Sequence, residues 1–203
     1  FIGLFWFFDF IILFLLKKLP KRRRWSLFII GPFIGLQGVI GWLMVNSGLD
    51  GIRVDVASYW LMAHLGAAFA LLGYIFWFLQ MIDWSDSDLL QSRRFREPKL
   101  FGMSTILMYF LALQILLGAL VAGIDAGRNY TDWPLMAGEF LPPDIFDLSP
   151  WWRNFFENDG LVQFIHRLSA YCLFVFAVLV GLKVRKSAQK RTRSAYSLVW
   201  VLI

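Results

Sequence analysis

Two histidines stand in the 203-residue chain, His64 and His166, each close to the start of a long apolar run. An imidazole in such a run is costly to bury and usually faces a protein interior, where it pairs with something. Neutral imidazole ligates iron well, and an inward histidine in a helical bundle can clamp a flat macrocycle between facing side chains. Heme iron is the natural partner on that chemistry. The competing account makes each ring an interhelical hydrogen-bond donor or a headgroup-level residue, and either histidine taken alone fits both accounts. Zinc and copper are disfavoured: the one cysteine, Cys172, lies inside an apolar run, and neither histidine has a second beside it. A single cysteine also rules out an intrachain disulfide.

The elements that must position these rings are membrane helices. Hydrophobic residues make up 59% of the chain and aromatics 18%, in long uninterrupted stretches, so the bilayer is the solvent. About 20 apolar residues cross the hydrocarbon core. Four complete spans follow, near residues 26–46, 60–82, 100–123 and 161–182, with partial spans at 1–16 and 195–203. The chain opens at Phe1 inside one apolar run and closes a few residues into another, so it reads as an excerpt with no legible signal peptide. The net charge of +6 does not indicate nucleic acid, because Lys and Arg sit in short runs between apolar segments. Residues 17–24, 83–99 and 183–194 carry sixteen Lys or Arg, against three (Arg53, Arg128 and Arg153) in segments 47–59 and 124–160. That asymmetry puts the basic loops on the cytoplasmic side, or its organellar equivalent, and both histidines toward the outer side. Trp25, Trp42, Trp60, Trp77, Trp84 and Trp133 fall near span ends, as interfacial aromatics do.

The histidine spans belong to an internal repeat. Leu36-Gln37-Gly38-Val39-Ile40-Gly41-Trp42-Leu43 matches Leu113-Gln114-Ile115-Leu116-Leu117-Gly118-Ala119-Leu120 at Leu, Gln, Gly and Leu, with a constant offset of 77. In each half the next span returns from outside to inside and carries the histidine. Corresponding spans run the same way, which predicts parallel repeats related by a pseudo-two-fold axis along the membrane normal. The expected fold class is all-α: a polytopic transmembrane protein of two pseudo-symmetric four-helix bundle halves, incomplete here. Residues 1–99 are the later part of the first half and 100–203 the earlier part of the second.

Other polar residues near the outer ends are candidates for the same pockets. Gln37 and Gln114 either bridge helices by hydrogen bonds or line the pockets. Arg128, Arg153 and Arg167 could hold propionates through charge-assisted hydrogen bonds, with Arg167 favoured because it adjoins His166; snorkelling or pairing with Asp125, Asp132 or Glu157 competes. The outer segment 124–160 is too long for a bare turn. Ser149-Pro150 there reads as an N-cap and first helical residue, predicting a short interfacial helix from about Pro150 to Phe156.

The chain closely resembles the heme A synthase family of bacterial and mitochondrial inner membranes. The segments that carry the resemblance are Gln37 to Leu49, Ala63-His64-Leu65-Gly66, Gly118 to Arg128, Tyr130 to Met136 with Trp133-Pro134, and Val162-Gln163-Phe164-Ile165-His166-Arg167. Arg153-Asn154-Phe155-Phe156-Glu157-Asn158, with no cysteine pair, is similar to the alphaproteobacterial and mitochondrial branch. Asn129-Tyr130-Thr131-Asp132 departs from the family, which more often places Asn after the Tyr. The resemblance implies eight membrane helices in two halves and oxidation of a heme O methyl group to the formyl group of heme A. It implies that His64 is one axial ligand to the substrate heme and His166 one ligand to a heme b cofactor, with Gln163 among the cofactor-binding residues. Each axial partner, and the family's catalytic acid upstream of Phe1, would lie outside the chain. The implied partners are membrane lipid, heme O, and candidate contacts with heme O synthase, terminal oxidase assembly factors or a second copy. A membrane cytochrome b that only transfers electrons is the alternative reading.

Overall fold

The structure, a computed structural model, describes residues 1–18, 21–48, 56–82 and 84–202. Residues 49–55, Arg53 among them, lie outside the described residues. The helices are α1 (Ile2–Leu15), α2 (Lys21–Ser47), α3 (Ser58–Ile82), α4 (Asp86–Arg94), α5 (Pro98–Gly123), α6 (Asn154–Glu157), α7 (Asp159–Val184) and α8 (Lys190–Leu202). Among the described residues, the only extended pairing is one bridge between Met136 and Glu139. The protein is an all-helical, multi-pass membrane protein.

Arg23–Ser47, Ser58–Ile82, Pro98–Gly123 and Asp159–Val184 are long and apolar enough to cross a membrane. Each overruns its expected span by only a few residues. At 1.5 Å per residue, 25 or 26 residues reach about 38 Å, enough for the hydrocarbon core of about 30 Å with the ends in the interface. Leu72 (59% exposed), Leu111 (51%) and Phe174 (53%) point outward from the middles of their helices, as lipid-facing side chains must.

The chain forms two compact units, Phe1–Ser85 and Asp86–Ile203. α4 and the turn after it go with the second unit. α4 itself replaces what the sequence presents as a plain basic loop. Its first turn carries Asp86 and Asp88 and its last carries Arg93 and Arg94, so the charges complement the helix dipole at both ends.

In the first unit α1 lies on α2, with Trp6 Nε1 donating to the Leu27 carbonyl at 3.0 Å and Phe10 against Phe28. α2 and α3 are held at the basic end by Arg23, which donates to the carbonyls of Ile82 and Trp84, and by Tyr74 OH donating to the Ser26 carbonyl. In the second unit α5 packs along α7. Ala119 and Leu120 of α5, and Val162, Val180 and Val184 of α7, are almost fully buried. Pro98 opens α5 at a position where its missing N–H leaves no hydrogen bond unmade. At the basic end Ser187 Oγ donates to Glu97 at 2.8 Å, and Gln189 Nε2 donates to the Phe95 carbonyl at 2.6 Å.

The segment between α5 and α7 is ordered by polar side chains. Short 3₁₀ turns occupy Ala126–Arg128 and Trp151–Arg153, and the second leads directly into α6. The expected helix at 150–156 is thus present in two pieces, with Pro150 rather than Ser149 at the cap. Asn154, fully buried, accepts from Leu148 N–H and donates to the Leu148 and Trp151 carbonyls. Asn158 caps α7 by accepting from Leu161 N–H at 2.8 Å, and its amide donates to the Asp144 carbonyl and the Asp147 carboxylate.

Candidate heme-ligand site

His64 lies six residues into α3 and His166 seven into α7, so each imidazole sits about 9–11 Å along its helix from the N-terminal end. The two depths match. Each ring rests on a glycine of the neighbouring helix. A Cβ on Gly41 would lie 3.1 Å from His64 Cε1, and a Cβ on Gly118 would lie 3.2 Å from His166 Cε1. Both separations are inside comfortable carbon–carbon contact, so a Cβ at either glycine would force the imidazole to give way by a few tenths of an ångström. Gly41 and Gly118 are the repeat's matched glycines. The sequence presents them as a spacing; the structure makes them the seats of the two rings.

The matched glutamines lie one turn before the glycines on the same helices. Gln37 Nε2 donates to the His64 backbone carbonyl at 3.4 Å, and Gln114 Nε2 donates to the His166 carbonyl at 3.2 Å. Gln114 Nε2 is also 3.0 Å from His166 Nδ1 and 3.4 Å from its Nε2. Both glutamines therefore bridge their helix to the histidine helix. Among the described residues, four buried side-chain polar atoms have no hydrogen-bond partner: His64 Nδ1, Gln114 Oε1, Gln163 Oε1 and Ser169 Oγ. A buried orphan is costly. Two of them, His64 Nδ1 and Gln114 Oε1, belong to the paired Gln, Gly and His positions.

The remaining candidates lie in or hold the segment between α5 and α7. Gln163, 7% exposed, donates to the Tyr130 carbonyl at 3.0 Å. Arg167, one turn on, donates to the carbonyls of Tyr130 (2.8 Å), Asp132 (2.9 Å) and Leu135 (3.3 Å). A further turn on, Tyr171 OH accepts from Trp133 Nε1 at 2.7 Å. Residues 163, 167 and 171 form one stripe of α7 that straps down residues 130–135, while His166 faces α5. Arg167, favoured from the sequence as a propionate partner, thus has its guanidinium taken up by backbone carbonyls. Arg153 pairs with Glu157 and donates to the Ser149 carbonyl. Arg128 lies 3.5 Å from Asp125, with 80% of its side chain exposed.

Asp132 organises the strapped segment from within. Its carboxylate accepts from Gly138 N–H at 3.0 Å and Ala137 N–H at 3.1 Å. Residues 136–139 close a tight turn with positive φ at both central positions, Ala137 (+55°) and Gly138 (+82°). The left-handed conformation is unfavourable for alanine, and the carboxylate contact to its N–H holds it there. Hydrogen bonds from Gly138 and then Ala137, with Arg167 nearby, hold the Asp132 carboxyl below the ordinary value of 3.8. This role was not visible in the sequence. The nearest signal was an Asp five residues before Ala-Gly.

The family model described as "Cytochrome oxidase assembly protein" matches residues 1–203. The chain is 51% identical to the heme A synthase of Ruegeria sp. (strain TM1040), over 100% of the chain and 54% of the relative. It is 52% identical to the heme A synthase of Paracoccus denitrificans (strain Pd 1222), over 96% of the chain and 51% of the relative. To that of Jannaschia sp. (strain CCS1) it is 48% identical, over 100% and 54%. The chain spans about half the length of these curated relatives. No solved structure matches it. With helices, paired histidine seats and matched sequence in agreement, the chain belongs to the cytochrome oxidase assembly protein family.

Proposed function

We propose that the chain is part of a heme A synthase, which oxidises a methyl group of heme O to the formyl group of heme A in a membrane-embedded pocket. The observation that carries this reading is the repeated constellation: in each unit a Gln and a Gly of one helix receive a His of the next at the same depth. A flat iron macrocycle suits such a place. The glycine seat fixes one edge of the imidazole, and the buried polar atoms beside it are unsatisfied without a ligand. Relatives named heme A synthase, about half identical over the chain, supply the chemical class.

His64 would help hold substrate heme O and His166 would help hold heme b, each within one of two pseudo-symmetric four-helix halves. Heme iron supplies the oxidising chemistry, and the protein positions, shields and tunes it. Gln163 and Arg167 act by holding residues 130–135 over the outer end of α7. Arg128, the most open of the three outer arginines, is the one placed to turn toward a propionate. The basic loops face the cytoplasm and both pockets open toward the outer face of the inner membrane. Heme O synthase and oxidase assembly factors are the candidate partners for heme O delivery.

The test is heme extraction with mass analysis on the purified full-length protein. Heme b together with heme O or heme A is expected. Heme b alone would make the protein an electron-transfer cytochrome, and a colourless preparation would end the reading. His166→Ala should lower heme b content more than substrate-heme content; equal loss from both sites would contradict the division of roles.

A further inference from the structure

The basic end of the second unit carries a cavity that the histidine sites do not use. It lies between α7 and α8, has a volume of about 600 Å³, and is lined from α7 by Val178, Leu182 and Arg185 and from α8 by Arg193 and Tyr196. Val178, Leu182 and Arg185 recur at helical spacing, so they form one stripe that is apolar within α7 and cationic at its C-cap. Arg193 and Tyr196 are three apart on α8 and share a face. Each wall therefore carries its cation at the end nearest the turn that joins the two helices. We propose that this cavity binds an anionic phospholipid, with Arg185 and Arg193 on the headgroup phosphate and an acyl chain against Val178 and Leu182.

Both cations can serve a phosphate. Among the described residues the Arg185 side chain makes no hydrogen bond or ion pair. Arg193 donates from Nη1 to the Ser187 carbonyl. A guanidinium has five N–H donors in a planar fork, so that one bond anchors Arg193 and leaves the rest of the fork for bidentate contact with phosphate oxygens. Residues 183–194 carry six Lys or Arg and no Asp or Glu. The acid that reaches this turn, Glu97, is engaged by Ser187 Oγ at 2.8 Å. The field at the mouth of the cavity is thus positive, complementary to an anionic headgroup.

The depth of the cavity suits a hydrocarbon chain. Leu182 is 52% exposed, and Tyr196 OH donates to the Ala177 carbonyl, which ties α8 to α7 while leaving space beside them. In a bilayer that space is offered to acyl chains, and basic pockets between membrane helices are where anionic headgroups are held. A volume of about 600 Å³ is in the range of clefts that bind small molecules.

The experiment is native mass spectrometry of the full-length protein in mild detergent, titrated with phosphatidylglycerol or with phosphatidylcholine of the same acyl chains. Phosphatidylglycerol should bind more tightly. Arg185→Gln should weaken it by about fivefold, the worth of one cation near an anionic surface. Lys186→Gln removes the same charge from the same turn outside the cavity and should leave binding in place. Val178→Phe fills the apolar part and should also weaken binding. Headgroup and chain are tested by separate variants, so a folding failure in one leaves the other to decide. Inorganic phosphate, which has the charge without the chains, should not displace the lipid. The proposal is overturned if the wild type binds the two lipids alike, as it would if the rest of the full-length protein closed the cavity. It is equally overturned if Arg185→Gln behaves as Lys186→Gln does, if Val178→Phe retains the lipid unchanged, or if inorganic phosphate displaces it.

Discussion

Replacing Gly118 by alanine separates the geometry of the ligand from the stability of the helix that seats it. In the interior of α5 alanine is favoured over glycine by about 1 kcal/mol. The new methyl, however, would stand 3.2 Å from His166 Cε1, 3.8 Å from Nδ1 and 3.9 Å from Nε2. Restoring a carbon–carbon contact of about 3.6 Å requires the ring to withdraw by about 0.4 Å. That shift also disturbs the 3.0 Å approach of Gln114 to Nδ1. Gly102 in the same helix provides the comparison, because a Cβ there meets nothing within 4 Å. Both variants should unfold at the wild-type temperature or up to a few degrees higher in detergent, as a gain of about 1 kcal/mol allows. Only Gly118→Ala should also shift or weaken the heme absorbance that depends on His166. Gly118→Leu, which forces a full side chain into the seat, should add an overpacking cost of about 1–3 kcal/mol. The reasoning is refuted if Gly118→Ala and Gly102→Ala give indistinguishable spectra at equal heme loading.

Two further outcomes concern the strapped segment between α5 and α7. Arg167→Ala removes a cation from three backbone carbonyls and should loosen residues 130–135 by about 1–3 kcal/mol; limited proteolysis should then cut there, and an unchanged digest would show that the strap does not depend on Arg167. Asp132 has its carboxyl depressed below 3.8 by the Gly138 and Ala137 N–H groups, so its contribution is fully present above that value and is lost as the pH falls through the depressed native one. Amide exchange in residues 136–139 should rise over that acid range in the wild type, whereas Asp132→Asn should exchange with no such step.

Much of this architecture was legible in the chain because a bilayer leaves few solutions. With no water to satisfy the backbone, an apolar run of about 20 residues must become a helix, so the four spans emerged within a few residues of their ends. The histidines stood out for a related reason, since a polar ring in such a run needs a partner. α4 was missed because its signal is electrostatic rather than periodic: two early aspartates and two late arginines in a segment already read as a basic loop.

The candidate site was only half legible. Matched Gln, Gly and His positions could be read from the offset of 77, but an offset carries no distances. That each glycine is a seat for an imidazole depends on how closely α2 approaches α3 and α5 approaches α7. Arg167 shows the same limit. Its place beside His166 suggested a propionate, but that the fold brings three carbonyls of a distant segment within reach of its guanidinium could not be read from that place.

Sequence alone determined the membrane class, the span positions and the identity of the two rings, because hydropathy and residue type act locally and need no partner to be known. Tertiary structure alone decided that both glutamines reach the carbonyl of their histidine and that Gln114 also lies against the His166 ring. Hydrogen bonds fall off within a fraction of an ångström and a few tens of degrees, so identical residues at matched positions can make different ones.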